Sequence, residues 1–169
     1  PQASRLLSAM GALERVERAG AAHLAGMTVR APNGALIRGD FVASHGYRAF
    51  RDRGLALRRT VLDPILLACA RDAGAEVREG MRVTDVTRDA AGRVNGVRVL
   101  DAQGASATIA AGLVIGADGL RSVVARRLDL TRTRRWPKRL ALVAHYENFG
   151  GVTAWGEMHV ERDVGYVGL

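Results

Sequence analysis

Leu113 to Ser122 reads Leu-Val-Ile-Gly-Ala-Asp-Gly-Leu-Arg-Ser, and no other stretch restricts the fold of this chain so strongly. An apolar run such as Leu113-Val114-Ile115 suits a strand buried on both faces. It feeds directly into two glycines, and a short helical pattern follows from about Ser122 through Leu128. Strand, tight turn and helix in succession indicate an α/β fold. Gly116 and Gly119 permit tight turning and close approach of another molecule to the backbone. Asp118 places a carboxylate at the strand end, and the start of the next helix offers free N–H groups that suit a phosphate. The carboxylate itself would repel a phosphate. It would act through a ribose hydroxyl, through a water, or by shaping the loop with side-chain-to-backbone bonds. A plain strand-to-helix turn accounts for the segment equally well.

The rest of the chain supplies context. Leu6, Leu7, Met10, Leu13 and Val16 follow helical spacing, which predicts a helix over 5–20 with Gly20 as its stop. Met27–Arg30 reads as a strand, Pro32-Asn33-Gly34 as a turn, and Ala35–Arg38 as the returning hairpin partner. Residues 39–56 read as irregular. Thr60 is the expected N-cap of the next helix, with Asp63 close to a capping box, Pro64 in the first turn and Gly74 as the stop. Cys69, the single cysteine, lies on the apolar face and reads as a small buried hydrophobe. From Val77 the period becomes two. A strand begins there, and Val83–Val86, Val94–Val99 and Ala107–Ala110 follow, separated by turns at 89–92 and 101–104. This predicts an antiparallel meander. Leu140–Tyr146, Ala154–Val160 and Val164–Leu169 read as further strands, with Gly150-Gly151 between the first two.

Charge raises the question of a nucleic-acid partner. The 169 residues carry a net charge of +8, but it is nearly all arginine and scattered along the chain. Aromatic residues make up 5%, too few for stacking platforms, so no nucleic-acid partner is expected. The dense cluster Arg132, Arg134, Arg135, Lys138 and Arg139 could attract an anionic substrate or a phosphate-bearing cofactor. No apolar run suits an integral membrane segment and no secretory signal is evident, which makes cytoplasmic the default expectation. The four histidines are scattered, so no metal site is expected, and no Ser/His/Asp or Cys/His set is recognisable.

Leu113 through Arg126, together with Arg59-Thr60-Val61-Leu62-Asp63 and Gly74-Ala75-Glu76-Val77 upstream, resembles class A flavoprotein monooxygenases and the related geranylgeranyl-reductase-like proteins. The order of helix, meander, apolar strand, Gly-Ala-Asp-Gly and short helix also fits. The resemblance is good over 55–130 and weaker at both ends. It implies a partial FAD-binding, Rossmann-like domain with its antiparallel β-meander over 55–130, and the start of a β-rich substrate domain over 131–169. Residues 1–54 would be an inter-motif region on the substrate side. It also implies cofactor roles. Arg59 would approach the flavin, and backbone around Val83 would lie near the adenine. Gly116, Asp118 and Gly119 would bind the ribose or pyrophosphate region, with Arg121 acting beside Asp118. Arg121 equally suits a cap or an ion pair, and Val83 an ordinary strand position. His145, Trp155 and His159 are candidates to line a substrate pocket, as are Tyr146 and Tyr166.

The departures from that family matter. The Gly-x-Gly-x-x-Gly segment that cradles the FAD pyrophosphate and a later Gly-Asp segment are both absent, which reads as truncation at both ends. The chain alone is therefore expected to bind FAD poorly or not at all and to be inactive. The parent is expected to be an FAD-dependent oxidoreductase drawing electrons from NAD(P)H, a monooxygenase acting on a small organic substrate. A geranylgeranyl or alkene reductase of the same fold is the alternative. A non-enzymatic anion-binding α/β module is the rival from another class.

Overall fold

Gly11, at φ +67°, divides the first helical stretch in two. In the computed structural model, which describes residues 2–42, 50–132, 136 and 140–169, helices α1 (Gln2–Ala9) and α2 (Leu13–Arg18) flank that turn. The single helix expected over 5–20 is thus two, because a left-handed residue cannot continue a right-handed helix. The further elements are β1 (Ala22–Leu24), β2 (Gly26–Arg30), β3 (Leu36–Asp40), β4 (Gly54–Ala56), α3 (Arg59–Asp72), β5 (Arg82–Arg88), β6 (Val94–Leu100), β7 (Ser106–Ala110), α4 (Val123–Arg127), β8 (Trp155–Glu161) and β9 (Gly165–Gly168). They fall into two compact units, one of residues 1–77 with 145–169 and the other of residues 78–144.

In the first unit, Ser4, Ala12 and Val16 are buried about the helical turn. The hairpin predicted around Asn33-Gly34 forms as β2–β3, with the Ala35 amide donating to Asn33 Oδ1 at 3.0 Å. β2 also runs parallel to β8, so the sheet has the order β3-β2-β8-β9 and joins the N-terminal hairpin to the C-terminal strands. Within the stretch expected to be irregular, β4 pairs antiparallel with β1, while residues 43–49 lie outside the described residues. Helix α3 starts earlier than its sequence suggests. Arg58 is the extended N-cap, and the Arg59 guanidinium grips Asp63 one turn on through Nε–Oδ1 at 2.6 Å and Nη2–Oδ2 at 3.0 Å. Thr60 therefore lies inside the helix, and Pro64 is its sixth residue rather than a first-turn one. Gly74 ends it, but no α3 residue is fully buried and Cys69 is only half-buried.

The second unit is built on the predicted meander, β5-β6-β7, antiparallel throughout. Val86 and Val99 are its buried core. Helix α4 lies against β5, where Arg127 Nε meets Asp85 Oδ1 at 3.3 Å and its Nη2 donates to the Thr84 carbonyl. Three expected strands do not form: at Val77, at Leu113–Ile115 and at Leu140–Tyr146. A strand exists through its ladder, and no described residue pairs with any of the three. Leu113 and Ile115 are instead 77% and 80% exposed.

Candidate functional site

The turn into α4 and the start of the meander enclose a hollow of about 290 Å³. Val83 of β5, Val97 of β6, Ala111, residues 113–118 and Val124 of α4 line it. The walls are apolar except at Asp118. Val83, Gly116 and Asp118 thus meet at one place although 35 residues of sequence separate the first from the last. Each glycine of the motif answers a different need. A Cβ on Gly116 would lie 2.8 Å from Val124 Cβ, so its missing side chain lets the loop approach the helix. Gly119 stands at φ +76° and allows the chain to turn into a short 3₁₀ segment, Gly119–Arg121.

Asp118 is spent on this turn. Its Oδ2 accepts from the Val123 amide at 2.6 Å, while Ser122 Oγ accepts from the Ala125 amide at 3.0 Å and caps the helix. The hydrogen bond from the Ser122 side chain, aided by backbone amides and opposed by partial desolvation, holds the Asp118 carboxyl below its usual range. The free N–H groups expected at this helix start are thus largely taken by the protein itself. Ser122 and Val124 were not among the residues singled out from sequence. A serine just before a helical pattern is a capping signal that points to the first. Nothing local points to the second.

The other expected residues are not among those that line the hollow. Arg121 is exposed and makes no ion pair among the described residues. Arg59 belongs to the first unit, is 80% exposed, and is engaged by Asp63, whose carboxyl it holds below its usual range. Trp155 and His159 occupy the same face of β8 and are half-buried. The Trp155 ring lies over Gly26, with Arg38 stacked 3.5 Å above its centre, and His159 Nε2 meets Glu157 Oε2 at 3.2 Å. His145, Tyr146 and Tyr166 are exposed. Of the basic cluster, Arg134, Arg135, Lys138 and Arg139 lie outside the described residues. Among the described residues no group of three or more His, Cys, Asp or Glu could hold a metal ion, and no helix is long and apolar enough to cross a membrane.

Known proteins resemble the chain over most of this length. A family model described as an FAD binding domain matches residues 2–146. A menaquinone reductase of Mycolicibacterium smegmatis is 33% identical over 106 residues, 63% of this chain and 25% of that protein. Among solved structures, PqsL of Pseudomonas aeruginosa, named as a probable FAD-dependent monooxygenase, superposes with a TM-score of 0.66 at 23% identity, over 93% of this chain and 42% of its own. The flavin-dependent halogenase CmlS superposes with a TM-score of 0.62 at 27% identity, over 73% of this chain and 22% of its own. The chain thus spans about a quarter of the length of the curated relative it matches.

Proposed function

The chain belongs to the FAD-binding-domain family, and on that premise we propose that it is part of an FAD-dependent monooxygenase in which the hollow of the second unit receives the adenosine end of the cofactor. One observation carries this reading: Val83 and Asp118, far apart in sequence, line the same apolar cavity. The residues fit the group. A flat, weakly polar base suits the valine walls, and the exposed carboxylate at the rim can accept a ribose hydroxyl while it holds the helix. The pyrophosphate fits less well here, because the first amides of α4 are already bonded to Asp118 and Ser122. Gly116 lines the wall, Gly119 shapes the turn beside it, and Arg121 and Arg59 keep the cofactor roles that the family resemblance implies.

FAD, when bound, supplies the redox chemistry, with NAD(P)H as the electron source and a small organic molecule as substrate. The protein's part is to hold the cofactor's nucleoside and to keep the motif loop rigid through the Asp118–Ser122–Val123 bonds. His145, Trp155 and His159 stand on the substrate side. The menaquinone reductase relative favours a second reading, reduction of a lipophilic substrate without oxygen insertion. A non-enzymatic anion-binding module finds no support beside the family match. Replacing Asp118 by Ala in the flavin-loaded full-length parent enzyme tests the site: flavin content after gel filtration is expected to fall, and unchanged content overturns the role given to Asp118. NAD(P)H consumption with and without oxygen, with product analysis, separates monooxygenase from reductase.

A further inference from the structure

The sheet β3-β2-β8-β9 presents two faces, and the register sorts its residues between them. Thr28 of β2 stands opposite Arg38 of β3 and Glu157 of β8, while Arg30 stands opposite Leu36 and His159. All six share one face, since residues directly across a ladder point the same way. Arg30 and Arg38 are diagonal neighbours with Thr28 beside both. Neither arginine makes an ion pair among the described residues, although Glu157 and Asp40 lie on the same face. Glu157 is occupied by His159 at 3.2 Å. Arg38 is not free to wander. It is stacked on Trp155 at 3.5 Å, and Trp155 can lie flat because Gly26 beneath it has no side chain; a Cβ there would collide with Cζ3.

A guanidinium held by its face keeps its edge N–H groups available in a fixed plane, the geometry that suits a carboxylate. Arg30 adds a second charge, and the Thr28 hydroxyl a donor. Leu36 is 54% exposed on the same face and offers apolar contact to the body of such a ligand. We infer that Arg38, preset on Trp155, with Arg30 and Thr28, forms a recognition site for an organic carboxylate on the substrate side of the protein. This rests on the reading that β8 belongs to the substrate region, and it narrows the substrate class to molecules with an acidic group.

The test is calorimetric binding of 2-naphthoate and of its uncharged analogue 2-naphthylmethanol to the flavin-loaded full-length parent enzyme, with bound flavin quantified in each sample. Naphthoate is expected to bind about tenfold or more tightly than the alcohol, a difference within reach of a charge-assisted pair. R38Q is expected to remove that preference and R38K to restore only part of it, because lysine keeps the charge and loses the stacked plane. R30Q is expected to weaken naphthoate and leave the alcohol unchanged. Equal binding of the two probes, binding of neither, or an unaltered preference in R38Q overturns the proposal. Flavin content reads the cofactor assignment separately, so loss of flavin with intact probe discrimination would count against that assignment alone.

Discussion

At the scale of single residues, the site depends on a missing methyl group. Alanine at Gly116 would put its Cβ 2.8 Å from Val124 Cβ, closer than packed carbons approach. G116A is expected to destabilise the second unit by about 1–3 kcal/mol, the usual cost of overpacking, measured by urea unfolding. V124A on that background is expected to recover only part of the loss, because it removes the two γ-carbons at 3.2 Å and keeps the Cβ at 2.8 Å. Asp118 gives a pH signature. Its carboxyl titrates below the ordinary value, mainly through the Ser122 hydrogen bond. Its stabilisation of the turn is therefore complete above the unfolded-state value of about 4 and fades as pH falls through the depressed folded value. Amide exchange at Val123 is expected to quicken across that acid range, and D118N is expected to flatten the dependence. An unaltered profile in D118N would show that the carboxylate does not hold the helix.

At the scale of elements, the meander and α3 separate what local pattern decides from what it leaves open. β5, β6 and β7 were legible because alternation and turn residues act within a few positions and need no distant partner. Val99 is 2% exposed in that sheet, whereas Val83 lines the hollow. V99A is expected to lower stability by roughly 1–3 kcal/mol and V83A by distinctly less, with V83A weakening FAD instead; equal losses in thermal unfolding would contradict this division. Pro64 breaks a local rule, as a sixth helical residue that cannot donate to the Thr60 carbonyl. P64A is expected to stabilise α3 by roughly 1–2 kcal/mol, the interior proline penalty less its restriction of the unfolded chain. The strands expected at Val77, Leu113 and Leu140 were misread for one common reason: apolar composition marks a segment that wants a neighbour, and it cannot supply one. The parallel β2–β8 pairing was invisible for the converse reason, since Met27 and Gly156 meet across more than a hundred residues. Of the motif, Gly116 and Asp118 line the hollow, whereas Val97 and Val124 enter it only through packing.

For the molecule as a whole, the question is how much cofactor affinity the described residues supply. The hollow offers valine walls and one carboxylate, and the amides that could have met a pyrophosphate are bonded to Asp118 and Ser122. Contact with a base alone removes roughly 200–300 Å² of apolar surface, or about 5–7.5 kcal/mol at ~25 cal/mol per Å². Association costs at least about 4 kcal/mol. The remainder corresponds to a dissociation constant of about 1 mM or weaker. The 169-residue chain is therefore expected to emerge from gel filtration colourless after incubation with FAD, and millimolar FAD is expected to raise its melting temperature by no more than a degree or two. Flavin retained in stoichiometric amount would mean that α4 releases its capping bonds to bind phosphate. In that case Val123 amide exchange should slow on binding, and the D118A variant should retain the cofactor as well as the unaltered chain does.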